Sequence, residues 1–404
     1  MELDEHVRGD NMALKKIDDG IFWVGVNDWP LRDFHGLSVN GGSYNSYLLL
    51  SDKNILIDTV YEKYKEDLKK NIEEIIPIND LDFILLLHSE NDHSSSLPFI
   101  LQNAPKVKIL CTKKCANFIK KLYQIPEEKI NIIKDGDTIK FEDFSIKIYE
   151  TPMVHWPDTT FAFIPEKQIL FSTDFLGTQV VAEPLIIEDV SKIIEESRDY
   201  YTFLMRAYWE QALKGVDKVK ELSPNIIAPS HGPILKGNAV KDMLSYYKKW
   251  CLNPETKKAI VAYVSMWKGT EKIAELLSEG LSKEDIPVKV IDLANTPFSE
   301  ALSETLEAGA VLLGTPTFVK GIHPLMHAFL TFLEIIKPNC KLGMAFGTYG
   351  WAGLGVKALN EKMKEIGIKI ICEPLLINMT PDYNEKQEII EKAKEIAKII
   401  KNSF

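Results

Sequence analysis

Cysteine is scarce in this chain: Cys111, Cys115, Cys251, Cys340 and Cys372 are the only five in 404 residues. Odd in number and scattered, they offer no disulfide framework and suit a reducing compartment. No Cys-x-x-Cys pair occurs, so a thiolate-bound zinc or iron–sulfur site has no obvious home, and helical spacing accounts for Cys111 and Cys115. Long apolar runs are missing too. Without 18 consecutive apolar residues or a basic-then-apolar leader, neither a membrane-spanning nor a secreted protein is expected, and a cytoplasmic location is. Nor is there a basic excess: 48 Lys and Arg face 58 Asp and Glu, for a formal charge of −10. That balance argues against general nucleic-acid binding.

What is present fits a folded protein of two or three domains, with 45% hydrophobic and 26% charged residues. Residues 1–11 are polar and charged and read as a flexible extension. Residues 12–254 read as one domain and 255–404 as another. In the first, short strands are expected at 21–26, 46–50, 54–60, 82–87, 108–111, 145–149, 160–164, 168–172 and 226–229. Helices are expected at 62–75, 116–122 and across 191–222. In the second, strands at 259–264, 288–293, 310–313, 342–346 and 369–372 alternate with helices at 271–278, 299–308, 323–336, 355–366 and 384–401. Five such repeats call for a doubly wound parallel sheet, which binds ligands at the carboxyl ends of its strands.

Directly after the buried run 82–87 stands His88-Ser89-Glu90-Asn91-Asp92-His93. His155, Asp174 and His231 each follow another expected strand. A single such residue reads as a cap or a satisfied surface histidine. Seven at strand ends, using four of the chain's eight histidines, read as a metal site. The spacing resembles that of the metallo-β-lactamase superfamily, whose αββα sandwich carries two metals. Its hydrolases have His-x-His-x-Asp-His, whereas Glu90 occupies the second position here. Added carboxylates suit harder, more oxidised ions, so a non-haem di-iron centre is favoured over di-zinc. The resemblance divides the ligands into His88, Glu90 and His155 on one metal and Asp92, His93 and His231 on the other, with Asp174 bridging.

The second domain offers three loops. Ser265-Met266-Trp267-Lys268-Gly269-Thr270 lies between a strand and a helix, where hydroxyls and backbone N–H groups make a phosphate cradle. It matches neither Gly-x-x-x-x-Gly-Lys-Ser/Thr nor Gly-x-Gly-x-x-Gly, so ATP and dinucleotides are not the first choice. Gly314-Thr315-Pro316-Thr317-Phe318 and Gly347-Thr348-Tyr349-Gly350-Trp351-Ala352-Gly353 follow later strands and supply glycines and aromatics for a flat ring. Together they resemble flavodoxin, which holds flavin mononucleotide (FMN). His323 and His327, with Pro324 between them, are explained by loop and helix rather than by zinc.

Both halves together resemble the flavodiiron proteins, also called A-type flavoproteins. Asp28-Trp29-Pro30-Leu31-Arg32-Asp33-Phe34-His35-Gly36 is similar to that family's aromatic, His-containing segment near the metals. The resemblance implies an enzyme that reduces dioxygen to water, nitric oxide to nitrous oxide, or both, using FMN and two irons. His35, Tyr200 and Tyr201 are candidates to line the pocket, with a plain core role an equal reading for the two tyrosines. The resemblance also implies an external electron donor, with reduced coenzyme F420 the first choice for a chain of this length and composition. A head-to-tail homodimer, extendable to a dimer of dimers, would set one chain's flavin against the other's irons, with Trp351 facing the partner. The rival readings are a hydrolase with an appended flavodoxin, which Glu90 argues against, and an electron shuttle, which leaves the seven ligands unexplained.

Overall fold

The structure is a computed structural model that describes residues 15–252, 256–338 and 340–404. The expected extension at 1–11 and the boundary at 254/255 lie outside the described residues. The chain resolves into two compact units. The first holds the chain up to His35 together with Val39–Tyr201 and Tyr208–Cys251, and the second holds Gly36–Ser38, Thr202–Ala207 and everything from Leu252.

The first unit is a sandwich of two seven-stranded sheets. One runs in the order Lys16–Asp18, Ile21–Trp23, Tyr47–Leu49, Ile55–Ile57, Phe83–Leu85, Lys108–Thr112, Ile130–Ile133. The other runs Thr138–Lys140, Ser145–Glu150, Thr160–Ile164, Ile169–Phe171, Ile226–Ala228, Ile234–Lys236, Ile186–Ile187. Trp23, Leu49, Ile57 and Leu85 from the first sheet meet Ile146, Ile148, Ala162 and Phe171 from the second in one apolar core. Side-chain alternation decides which strands are covered on both sides. In Ser145–Glu150 only Ile146 and Ile148 are buried, so one face is wet. All five residues of Thr160–Ile164 are buried, with Phe161 stacked on Phe175 away from the inter-sheet core.

This pairing gathers one set of strand ends. Strands Ser145–Glu150 and Thr160–Ile164 are antiparallel, as are Thr160–Ile164 and Ile169–Phe171, while Ile169–Phe171 and Ile226–Ala228 are parallel. The carboxyl ends of the first, third and fourth of these strands therefore share an edge. The other sheet joins them there, because the Thr160 N–H donates to the Leu87 carbonyl at 3.0 Å. The strand before His155 runs one residue past the expected 145–149, to Glu150, and Thr151–Val154 turn before the histidine. Helix Asn238–Leu252 fills a stretch where the sequence signalled no element.

The second unit is a parallel sheet ordered Val288–Asp292, Ala259–Tyr263, Ala310–Gly314, Leu342–Tyr349, then Lys369–Ile370, with Leu375–Asn378 also paired to Leu342–Tyr349. Alternate residues enter opposite cores. Ile260, Ala262, Val311 and Leu313 face one, while Ala259, Val261, Ala310 and Leu312 face the other. Helices Phe298–Thr305, Pro324–Ile336 and Leu354–Glu365 cover the first face, and Gly269–Ser282 and Tyr383–Ser403 the second. The last expected strand, 369–372, is cut to Lys369–Ile370, and a strand that was not expected, Leu375–Asn378, follows Pro374, which carries no N–H for a ladder bond. Among the described residues no helix is long and apolar enough to cross a membrane.

Candidate active site

The seven candidate ligands converge at the shared strand edge of the first unit. His88 leaves strand Phe83–Leu85 through Leu86 and Leu87, and the Leu87 N–H is held by Asp58 Oδ1 at 2.8 Å. Glu90 caps a single turn of helix, Asn91–Ser94, that carries Asp92 and His93. The Ser94 hydroxyl ties this turn down by donating to the Ser89 and Glu90 carbonyls. His231 is fixed from behind. Its Nδ1 lies 2.6 Å from the Ser43 carbonyl, and the Asn45 amide donates to the carbonyls of Pro229 and Gly232 on either side, each at 2.8 Å.

Asp174 sits at the centre. Its Oδ2 lies 3.4 Å from His88 Nε2 and 3.3 Å from His155 Nε2, and its Oδ1 lies 3.0 Å from His93 Nε2 and 3.3 Å from His231 Nε2. Glu90 Oε2 stands on the first side, 3.2 Å from His88 and 3.3 Å from His155. Asp92 stands on the second, with Oδ2 at 3.1 Å from His231 and Oδ1 at 3.4 Å from His93. Two clusters thus share one carboxylate; among the described residues, donor atoms of His88, Glu90, His93 and Asp174 all lie within 4.8 Å of one another, as do those of Asp92, His93 and His231.

The electrostatics mirror this crowding. Burial works against the charged form of His231, yet Asp174 and Asp92 carry its pKa up to about 10. Burial likewise opposes His155, and Asp174 and Glu90 raise it to about 9. Burial pushes the Asp174 carboxyl up, but the charge of His93 and bonds from His155, His231 and His88 hold it well below the usual range. Glu90 is held low against burial by His155 and His88. Several inward atoms, among them both Asp92 oxygens, Asp174 Oδ1 and Nε2 of His93 and His231, are buried without a hydrogen-bond partner. Four imidazoles and three carboxylates gathered around Asp174, four of the seven with such atoms, fit a pair of N/O-ligated metal ions.

The three candidates for the pocket lining diverge. His35, more than half exposed, puts Nε2 3.6 Å from Glu90 Oε1. Tyr200 is fully buried, its ring 6.1 Å from that of His231 and its hydroxyl unpartnered. Tyr201 is packed instead against Tyr247 and Trp250, and its hydroxyl donates to Cys251 Sγ at 3.3 Å. Sequence reasoning missed Asp58, Asn45 and Asp158. The last accepts the Ser89 N–H at 3.0 Å and faces His88 Nδ1 at 3.8 Å. Its only signal was its place in His155-Trp156-Pro157-Asp158.

In the second unit, Ser265–Thr270 turn between strand Ala259–Tyr263 and helix Gly269–Ser282, with Lys268 at φ 62°. Gly269 is forced, because a Cβ there would lie 2.3 Å from the Met379 carbonyl oxygen. The buried Thr270 hydroxyl lies 3.0 Å from that of Thr348, and the buried Ser265 hydroxyl has no partner. These hydroxyls and the N-terminus of a 14-residue helix fit a phosphate. Met266 and Trp267 are exposed, the latter at 89%. Pro316 is buried, Thr317 donates its N–H to the Thr348 carbonyl, and Phe318 is partly exposed. Gly347, Thr348 and Tyr349 belong to strand Leu342–Tyr349 rather than to a loop, since Leu375–Asn378 extends the ladder beside them. The loop proper is Gly350, Trp351, Ala352 and Gly353, with Trp351 90% exposed. His323 caps helix Pro324–Ile336 by accepting the Leu325 N–H.

Residues 43–232 match the ODP family beta lactamase, and residues 261–392 match flavodoxin. A nitric oxide reductase from Moorella thermoacetica is 33% identical over 389 residues, covering 94% of this chain and 97% of its own. The solved structure of rubredoxin oxygen:oxidoreductase from Desulfovibrio gigas superposes with a TM-score of 0.91 at 30% identity, covering 96% of this chain and 98% of that one. The flavodiiron protein from Giardia intestinalis shares the fold with a TM-score of 0.90 at 24% identity, over 96% of each chain.

Proposed function

The chain belongs to the flavodiiron proteins, oxidoreductases with FMN and a non-haem di-iron centre, and from that premise we propose that it reduces dioxygen to water. The observation that carries the reading is Asp174, whose two oxygens face two separate clusters of histidine and carboxylate. His88, Glu90 and His155 would hold one iron and Asp92, His93 and His231 the other, each cluster taking one oxygen of Asp174. Bound there, iron supplies the redox centre for the gas, and FMN at Ser265–Thr270, Pro316–Phe318 and Gly347–Gly353 supplies the two-electron store that feeds it.

The protein's own part is to bind, orient and exclude water. Three carboxylates offset the charge of two oxidised ions, which neutral imidazoles alone would not. His35 stands beside the outer oxygen of Glu90 and steadies it at the mouth. Phe34, Tyr44 and Tyr200 set their rings edge-on to His231 and fix its imidazole in place. The buried Tyr200 hydroxyl is a donor available to bound gas. Tyr201 serves the packing.

For the donor we propose reduced coenzyme F420, set against reduced rubredoxin because the Desulfovibrio gigas relative is named for it. We place the protein in the cytoplasm, in keeping with five free cysteines, four of them buried. A head-to-tail homodimer completes the proposal, supported by the exposure of Trp351 beside the flavin cradle. Nitric oxide reduction is the second reading, supported by the name of the Moorella relative. A hydrolase is disfavoured by Glu90. Steady-state rates with dioxygen and with nitric oxide, each under reduced F420 and reduced rubredoxin, test the proposal. It predicts dioxygen consumption with F420 and no accumulating peroxide. Turnover with nitric oxide alone would replace it by the second reading, and inactivity in all four pairings would refute both.

A further inference from the structure

Reduction of either gas takes up protons as well as electrons. Dioxygen needs four of each to give two waters, and two nitric oxide molecules need two of each to give nitrous oxide and water. Five of the seven candidate ligands are buried, His231, Asp92 and His93 among them, so protons consumed on that side need a route inward. Asp28, which opens the aromatic segment singled out in the sequence, has no role in the chemistry described above.

Asp28 closes strand Val26–Asp28, which pairs antiparallel with Gly42–Tyr44; Asp28 stands opposite Gly42, and Val26 opposite Tyr44. Opposite residues, and residues two apart, share a face of such a ribbon. Asp28, position 42 and Tyr44 therefore line one face. Gly42 brings no side chain, and Leu31 and the amide of Gln179 share the space: a Cβ at Gly42 would lie 2.8 Å from Leu31 Cδ2, 2.9 Å from Gln179 Cδ and 3.1 Å from its Nε2. Asp28 is 3% exposed and Gln179 1%, yet Asp28 Oδ1 and both ends of the Gln179 amide have no partner.

The two ends of this face lead in useful directions. Outward, Asp28 Oδ2 lies 3.6 Å from Nζ of Lys63, whose side chain is 57% exposed. Inward, the Tyr44 ring stands edge-on to His231 at 5.9 Å, and Gln179 follows Thr178, whose N–H donates to the His231 carbonyl at 3.2 Å. Folded proteins rarely leave a buried carboxylate oxygen and a whole amide unpaired; ordered water commonly satisfies such groups.

We propose that Asp28 and Gln179 hold ordered water and form the proton route from solvent at Lys63 to the His231 side of the ligand set. The inference rests on the reading that this chain reduces dioxygen or nitric oxide, and it serves either gas. The Asp28 carboxylate takes up a proton from solvent beside Lys63 and passes it, through water held by the Gln179 amide, to the oxygen being reduced, which leaves Asp28 a carboxylate again. Gln179 does not ionise; its amide both donates and accepts, which orients the water.

The test uses protein loaded with iron and flavin, fully reduced with dithionite, and mixed in a stopped-flow instrument with dioxygen or nitric oxide in H₂O and in D₂O. Asp28→Asn should slow flavin reoxidation on the order of 100-fold, with a larger solvent isotope effect and unchanged iron and flavin content. Asp28→Glu should recover most of the rate. Gln179→Leu should show the same enlarged isotope effect, and it decides the matter if Asp28→Asn loses iron. Wild-type rates and isotope effects in both variants overturn the route, as does loss of iron from both. A wild type reoxidised by neither gas overturns the functional reading and this route with it, whereas an active wild type with unaffected variants overturns the route alone.

Discussion

Removing Asp174 should not resemble removing any other ligand. Its two oxygens serve both clusters, so Asp174→Ala should lower iron from two per chain to well below one, whereas Asp92→Ala should spare the His88, Glu90 and His155 cluster. Iron assays on purified variants check this; equal losses would count against the shared carboxylate. Asn45 acts at one remove. It accepts from Trp23 Nε1 and donates to the Pro229 and Gly232 carbonyls, so Asn45→Ala removes three buried bonds at a cost of about 3 kcal/mol. A lowered melting temperature and weaker metal binding on the His231 side should follow, and an unchanged melt would contradict it. The ligands were legible in the sequence because each follows an apolar strand. Asn45, Asp58 and Asp158 were not, because they act on backbone groups of distant segments, which local spacing does not encode. Tyr200 and Tyr201 show another limit. Neighbours on a helical turn point about 100° apart, so only one of the pair reaches the His231 side, and adjacency alone does not say which.

The element that matters most in the first unit is the set of four strand ends, which presses imidazoles against carboxylates when no metal is present. His155 and His231 have their pKa raised from 6.5 to about 9 and about 10 by the carboxylates they face. A raised pKa in the folded state adds stability that is complete below the unfolded value and is lost as pH climbs through the folded one. The metal-free protein should therefore melt at falling temperatures between about pH 7 and 10, and metal binding at pH 7 should release protons. Melting curves of the metal-free protein and calorimetry in buffers of different ionisation heat check both; a flat pH profile with no proton release would contradict them. In the second unit the governing element is the turn into helix Gly269–Ser282. Gly269→Ala drives a methyl against the Met379 carbonyl and should cost flavin affinity while leaving the sheet intact, as read by retained visible absorbance against circular dichroism. That turn was legible from its composition. The extension of strand Leu342–Tyr349 was not, because Gly347 disfavours a strand locally and pairing with Leu375–Asn378 carries the ladder past it.

For the whole molecule, the doubly wound half was readable because residues buried on both faces make continuous apolar runs, such as Ala259–Tyr263. The sandwich half was read less completely, since edge strands such as Thr138–Lys140 expose most of their residues and lack a strong pattern. At this scale the proposal of a head-to-tail homodimer predicts complementation. Asp174→Ala, lacking metal, and Thr270→Trp, lacking flavin, should regain activity when dissociated and reassociated together, and silence despite proven subunit exchange would contradict the arrangement. All of this depends on two irons meeting at Asp174. Anomalous diffraction at the iron edge from the loaded protein measures that most directly. The account predicts two peaks about 3.5 to 4 Å apart, one on the His88, Glu90 and His155 side of Asp174 and one on the Asp92, His93 and His231 side; a single peak, or a Glu90 turned away from both, would contradict it.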